Sequence, residues 1–145
     1  MRRKIPSSIQ RAVRQRANFL CEYCHVSEIW QYVAFTMEHV IPISLGGDDS
    51  FENLALCCFA CNRRKSGQID GRDPQTNKIV RLFNPRIHKW HEHFAWAKDK
   101  LTIMGLTPIG RATVKTFELN RDRVITIRKA DLEIGRHPPE NDPII

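Results

Sequence analysis

Two cysteine pairs of identical spacing constrain this chain more than any other feature. Cys21-Glu22-Tyr23-Cys24 and Cys58-Phe59-Ala60-Cys61 both read CxxC, with 33 residues between them. Four thiolates drawn from two such pairs match the tetrahedral coordination of one zinc ion, which predicts a loop closed around a structural metal. A redox use of either pair calls for a βαβ pattern around it, and the sequence has none. The fifth cysteine, Cys57, sits in the apolar run that begins at Leu54 and reads as a small buried hydrophobe. The N-terminus lacks the pattern of a secretory signal, so the predicted location is a reducing cytoplasm, where five cysteines do not suggest a disulfide framework.

The chain has 145 residues, one domain's worth of sequence, and a formal charge of +7. Four thiolates with one Zn²⁺ lower that charge by two, and the surface remains basic. Anionic partners are favoured, nucleic acid first among them. No apolar run approaches the roughly 18–20 residues of a membrane span. The opening Met1-Arg2-Arg3-Lys4-Ile5-Pro6 leads into a polar amphipathic stretch, which is not the pattern of a secretory signal.

Periodicity places the cysteines on local structure. Ile9, Ala12, Val13, Arg16 and Ala17 fall at helical spacing after Ser7 or Ser8, predicting an amphipathic helix before the first pair. Between the pairs, Val33, Phe35, Met37, His39, Ile41 and Ile43 share one parity, a strand signal that breaks at Pro42. Gly46-Gly47-Asp48-Asp49 reads as a turn, Asn53–Leu56 as a short extended segment, and residues 58–68 as a helix whose first turn carries two zinc ligands: a ββα arrangement. Farther on, residues 70–77 read as turn chemistry and residues 79–83 as a strand. A helical stretch at 88–94, a hairpin over 94–104, and helices at 107–119 and 121–132 follow. Residues 136–145 read as a disordered tail.

Inside the bracketed segment lie Glu38-His39-Val40-Ile41-Pro42, Gly46-Gly47, Asn53-Leu54-Ala55-Leu56 and Cys58-Phe59-Ala60-Cys61-Asn62-Arg63-Arg64-Lys65. This succession resembles the HNH endonuclease family, in its zinc-knuckle subtype, from about Phe19 to Ser66. The block around Leu82–Arg86 and Trp90–Phe94 also looks like that of bacterial members. The resemblance implies an α+β fold: a ββα-metal, treble-clef-like core with a four-Cys zinc site, an N-terminal helix and a C-terminal α/β extension. The corresponding divisions are residues 1–68, then 69–135 packed on the same domain, then the tail.

Phosphodiester hydrolysis needs a base for water, positive charge at the phosphate and leaving oxygen, and a rigid mount. His39 is the candidate base, since imidazole titrates near neutrality. The resemblance implies that Glu38 and Asn62 hold one divalent ion, Mg²⁺ or Mn²⁺ by the hardness of their oxygens, and that Asn53 ties the loop to the strand bearing His39 within the catalytic set His39, Asn53 and Asn62. Neighbours on a strand point to opposite faces, so Glu38 and His39 reach one cleft only if the strand distorts or ends there. Asn62 follows Cys61 by roughly 100° of helix and can face the cleft while Cys61 faces zinc. Glu38 stands where many family members have Asp. Arg63, Arg64 and Lys65, with the Arg-rich first helix, are the expected phosphate contacts. DNA hydrolysis is the leading reading; the alternative is a zinc module that binds nucleic acid without cutting it.

Overall fold

The computed structural model describes residues 4–145, which divide into two compact units. One contains the described residues up to Ile69 together with Asn84–Ile87; the other contains Asp70–Phe83 and His88–Ile145. No helix among the described residues is long and apolar enough to cross a membrane.

In the first unit, α1 spans Ser7–Arg16 and follows Pro6, with no side chain capping its start. Its buried face centres on Val13 and packs against β2, Leu54–Cys57. Arg16 lies with its guanidinium 3.8 Å from the Phe51 ring centre and donates to the Phe51 and Leu54 carbonyls, while Arg14 forms a two-bond ion pair with Glu28. Two of the helix arginines are thus committed inside the protein, and Arg11 is its exposed one.

Strand β1 covers only Thr36–His39, shorter than the parity series predicts. It pairs antiparallel with β2, Glu38 opposite Ala55 and His39 opposite Leu54. A strand persists only where a partner accepts its hydrogen bonds, and β2 has four residues between the turn at Asn53 and the cap at Cys58. Helix α2, Phe59–Lys65, closes the unit, with Ser66 left-handed at its end. The ββα order is therefore present, with both core strands short.

The second unit holds the hairpin β3 (Asp70–Arg72) with β4 (Ile79–Arg81), the short α3 (Trp90–His93), the hairpin β5 (Phe94–Trp96) with β6 (Ile103–Gly105), and helices α4 (Pro108–Phe117) and α5 (Asp122–Glu133). Residues 70–72, expected as turn, are a strand because Ile79–Arg81 pairs with them. Thr107 caps α4 by accepting from Gly110 N–H at 3.0 Å, with Pro108 following, as the sequence signals. Residues 136–145 do not form the expected disordered tail. The buried Trp96 indole N–H donates to Asp142 at 2.9 Å, and Trp96 exchanges backbone bonds with Pro143 and Ile145. A buried indole needs an acceptor and a strand edge needs a neighbour; the chain end supplies both.

Candidate active site

Cys21, Cys24, Cys58 and Cys61 are buried, and their sulfur atoms lie within 4.8 Å of one another. Zn–S bonds of about 2.3 Å in a tetrahedron put sulfurs about 3.8 Å apart, and Cys24 and Cys58 stand at 3.8 Å. Local backbone builds the group. In the first knuckle His25 takes a left-handed φ of 61° and donates its N–H to Cys21 O at 2.9 Å. In the second, Cys58 caps α2 and its sulfur accepts from Cys61 N–H at 3.4 Å. Cys57 lies outside the group; burial pushes its thiol up, keeping it neutral.

Four of the other sequence-predicted residues, Glu38, His39, Asn62 and Lys65, line one cleft of about 190 Å³ together with Pro42, Ile43 and Gly67. β1 ends at His39, and this termination lets Glu38 and His39 line one cavity despite being neighbours on a strand. His39 Nε2 lies 2.6 Å from Asp49 Oδ1. A carboxylate only accepts, so the proton of this contact sits on Nε2, and Nδ1 is the ring nitrogen turned away from Asp49. Asp49, a residue the sequence presents as part of a turn, therefore fixes the tautomer and orientation of the imidazole.

Asn53 touches the backbone rather than the cleft. Its Oδ1 accepts from Ile41 N–H at 2.9 Å, and its Nδ2 donates to the Ile41 and Asp48 carbonyls at 3.0 and 2.9 Å. These bonds tie the loop after Pro42 to the segment that follows the strand bearing His39. The loop so held depends on Gly47: a Cβ there would stand 1.7 Å from the Ile41 carbonyl oxygen and 2.8 Å from Asn53 Nδ2.

Lys65 departs from its expected place among the phosphate contacts. It is 3% exposed, with Nζ 2.6 Å from Glu38 Oε1 and donating to the His39 and Val40 carbonyls. Lying three residues after Asn62 on the same helix face, it is carried into the cleft with Asn62 rather than out to solvent. Arg63 is exposed; Arg64 is half-buried and reaches back to Ala60 O.

Glu38 is itself buried. Tyr23 OH donates to its Oε2 at 3.0 Å, while Oε1 takes no directed hydrogen bond and is balanced by the Lys65 ammonium. The Asn62 carboxamide makes no hydrogen bond among the described residues. One buried carboxylate oxygen already in a cation's company, and an uncommitted amide on the same cleft, are a donor set that fits a hard divalent cation completed by water and phosphate oxygens. Among the described residues, no other cluster of three or more His, Cys, Asp or Glu side chains is placed to hold a metal.

Residues 21–68 match the family model described as HNH endonuclease. No curated protein and no solved structure matches the chain.

Proposed function

We propose that this chain, which carries an HNH endonuclease domain at residues 21–68, hydrolyses DNA phosphodiester bonds, with the four-thiol group holding structural zinc. The observation that carries this reading is the convergence of Glu38, His39 and Asn62 on one cleft, with Asp49 holding the imidazole of His39. His39 Nδ1 takes a proton from water as the water oxygen attacks phosphorus in line, the bond to the 3′-oxygen breaks, and the departing alkoxide takes a proton from solvent water, leaving 5′-phosphate and 3′-hydroxyl ends. Asp49 balances the imidazolium that forms. Glu38 and Asn62 would hold the divalent ion, Mg²⁺ or Mn²⁺, and the ion when bound would supply the positive charge that the reacting phosphodiester needs. Zinc takes no part in these steps, since four thiolates close its shell.

The test is nicking of supercoiled plasmid by purified protein with Mg²⁺ or Mn²⁺, against EDTA. Cleavage should require the added ion and fall by about 10²–10⁴-fold in His39→Ala, with zinc content and DNA affinity nearly unchanged. Binding without metal-dependent cleavage in the parent chain would instead favour a non-catalytic nucleic-acid module.

A further inference from the structure

We infer that Tyr23 is a positioning residue for the divalent-cation site, its hydroxyl holding one oxygen of Glu38 so that the other is left beside Lys65 on the cleft. The inference rests on the reading of Glu38 and Asn62 as cation ligands. It makes the zinc knuckle part of the cleft's architecture as well as of the fold.

The knuckle's four residues divide their side chains by purpose. Cys21 and Cys24 turn their sulfurs into the thiol group. Glu22 is clamped to β2: its Oε2 accepts from Leu56 N–H at 2.8 Å, its own N–H donates to Leu56 O at 2.9 Å, and its Oε1 pairs with Arg86. Tyr23, fully buried between these fixed neighbours, sends its hydroxyl 3.0 Å from Glu38 Oε2, fifteen residues along the chain. A buried phenol needs an acceptor, and a carbonyl would serve. This one instead meets the single carboxylate of the cleft, and since a carboxylate only accepts, the phenol is the donor.

A carboxylate on a short strand can rotate about its own bonds. With Oε2 taken by Tyr23, rotation is held and Oε1, enclosed and already facing the Lys65 ammonium, is the one oxygen left to a divalent ion. The chain thereby meets the ordering cost of that ligand on folding rather than on metal binding. Lys65 Nζ, 2.6 Å from Oε1, occupies the position of positive charge that this arrangement creates.

The experiment is Mn²⁺ titration of the full zinc-loaded chain without DNA, free Mn²⁺ being read by electron paramagnetic resonance. The variants are Tyr23→Phe, Glu38→Gln and the double variant. Loss of a partner that orients a metal ligand typically costs about 10–100-fold in affinity. Tyr23→Phe should therefore keep its zinc and its melting temperature to within a few degrees while weakening Mn²⁺ by that factor. Nicking should recover at raised Mn²⁺, and the double variant should bind no more weakly than Glu38→Gln alone. Equal Mn²⁺ affinity in Tyr23→Phe and the parent overturns the role of Tyr23 and leaves the proposed function standing. Loss of zinc or fold in Tyr23→Phe assigns the hydroxyl to the knuckle alone and overturns it too, as does a further loss in the double variant. A parent chain that binds no Mn²⁺, or that loses none in Glu38→Gln, overturns the metal-site reading and the inference with it.

Discussion

At the scale of single residues, the side chains around the cleft form one pair and one group of three, and each fixes what its members can do. His39 is aimed by Asp49, and Glu38 is held between Tyr23 and Lys65. Removing the Asp49 carboxylate leaves the proposed base present but its ring free to turn and its tautomer unset. Asp49→Ala should slow cleavage by less than His39→Ala does and add nothing to the loss in the His39→Ala background, a non-additivity that single-turnover rates on the four combinations would measure. Additive losses would give Asp49 a separate task. The four thiols were legible from sequence because ligand spacing is a local property of the chain. Asp49 was not, since its meeting with His39 depends on how the intervening loop closes. Lys65 does share the face of Asn62, as helical periodicity states, but its pairing with Glu38 was not legible, because periodicity names a face and not the partner across it.

At the scale of elements, the loop between β1 and β2 is the part on which the cleft's geometry depends. Asn53 binds it to Ile41 and Asp48, and Gly47 lets the two backbones approach closer than any side chain permits. Gly47→Ala must push the loop from the Ile41 carbonyl and disturb those three bonds. A cost of about 1–3 kcal/mol is expected from the forced shift, read as a lowered denaturant midpoint, with cleavage falling further than stability because Asp49 moves with the loop. Unchanged rate and midpoint would mean the loop has slack. The parity series announced β1 and placed His39 on it, but its length was set by β2, which periodicity in one strand does not see. In the second unit, Asp73 is buried and takes both nitrogens of Arg111 at 2.9 and 3.0 Å. That guanidinium holds its carboxyl well below the ordinary 3.8. A depressed folded value means the stabilisation is complete above the unfolded value near 3.8 and is lost as pH falls below it through the folded one. Acid unfolding of Asp73→Asn, followed through the buried Trp96, should show a flatter acid limb than the parent; identical limbs would leave the pair without a role in acid stability.

At the scale of the whole molecule, the formal charge of +7 predicts electrostatic binding to nucleic acid, but the structure decides which cations are free to supply it. Arg14 and Arg16 are spent on Glu28 and on backbone carbonyls, and Lys65 on Glu38, while Arg11 and Arg63 stand exposed. Each phosphate contact steepens the fall of log affinity with log salt by roughly 0.9 on duplex. Arg63→Ala should therefore flatten that slope by about one unit on unrelated sequences, whereas Lys65→Met should leave it unchanged. The lysine variant pays elsewhere. Both members of its pair are 4% exposed, and stripping one partner from such a pair leaves a buried charge uncompensated, at a typical cost of about 3–5 kcal/mol. Lys65→Met should thus be recognised by a collapse in denaturant midpoint with an unaltered salt slope, measured at a temperature where it remains folded. A Lys65→Met slope flattened like that of Arg63→Ala would place its ammonium on phosphate after all, and the Glu38 pair would then have to open when nucleic acid binds.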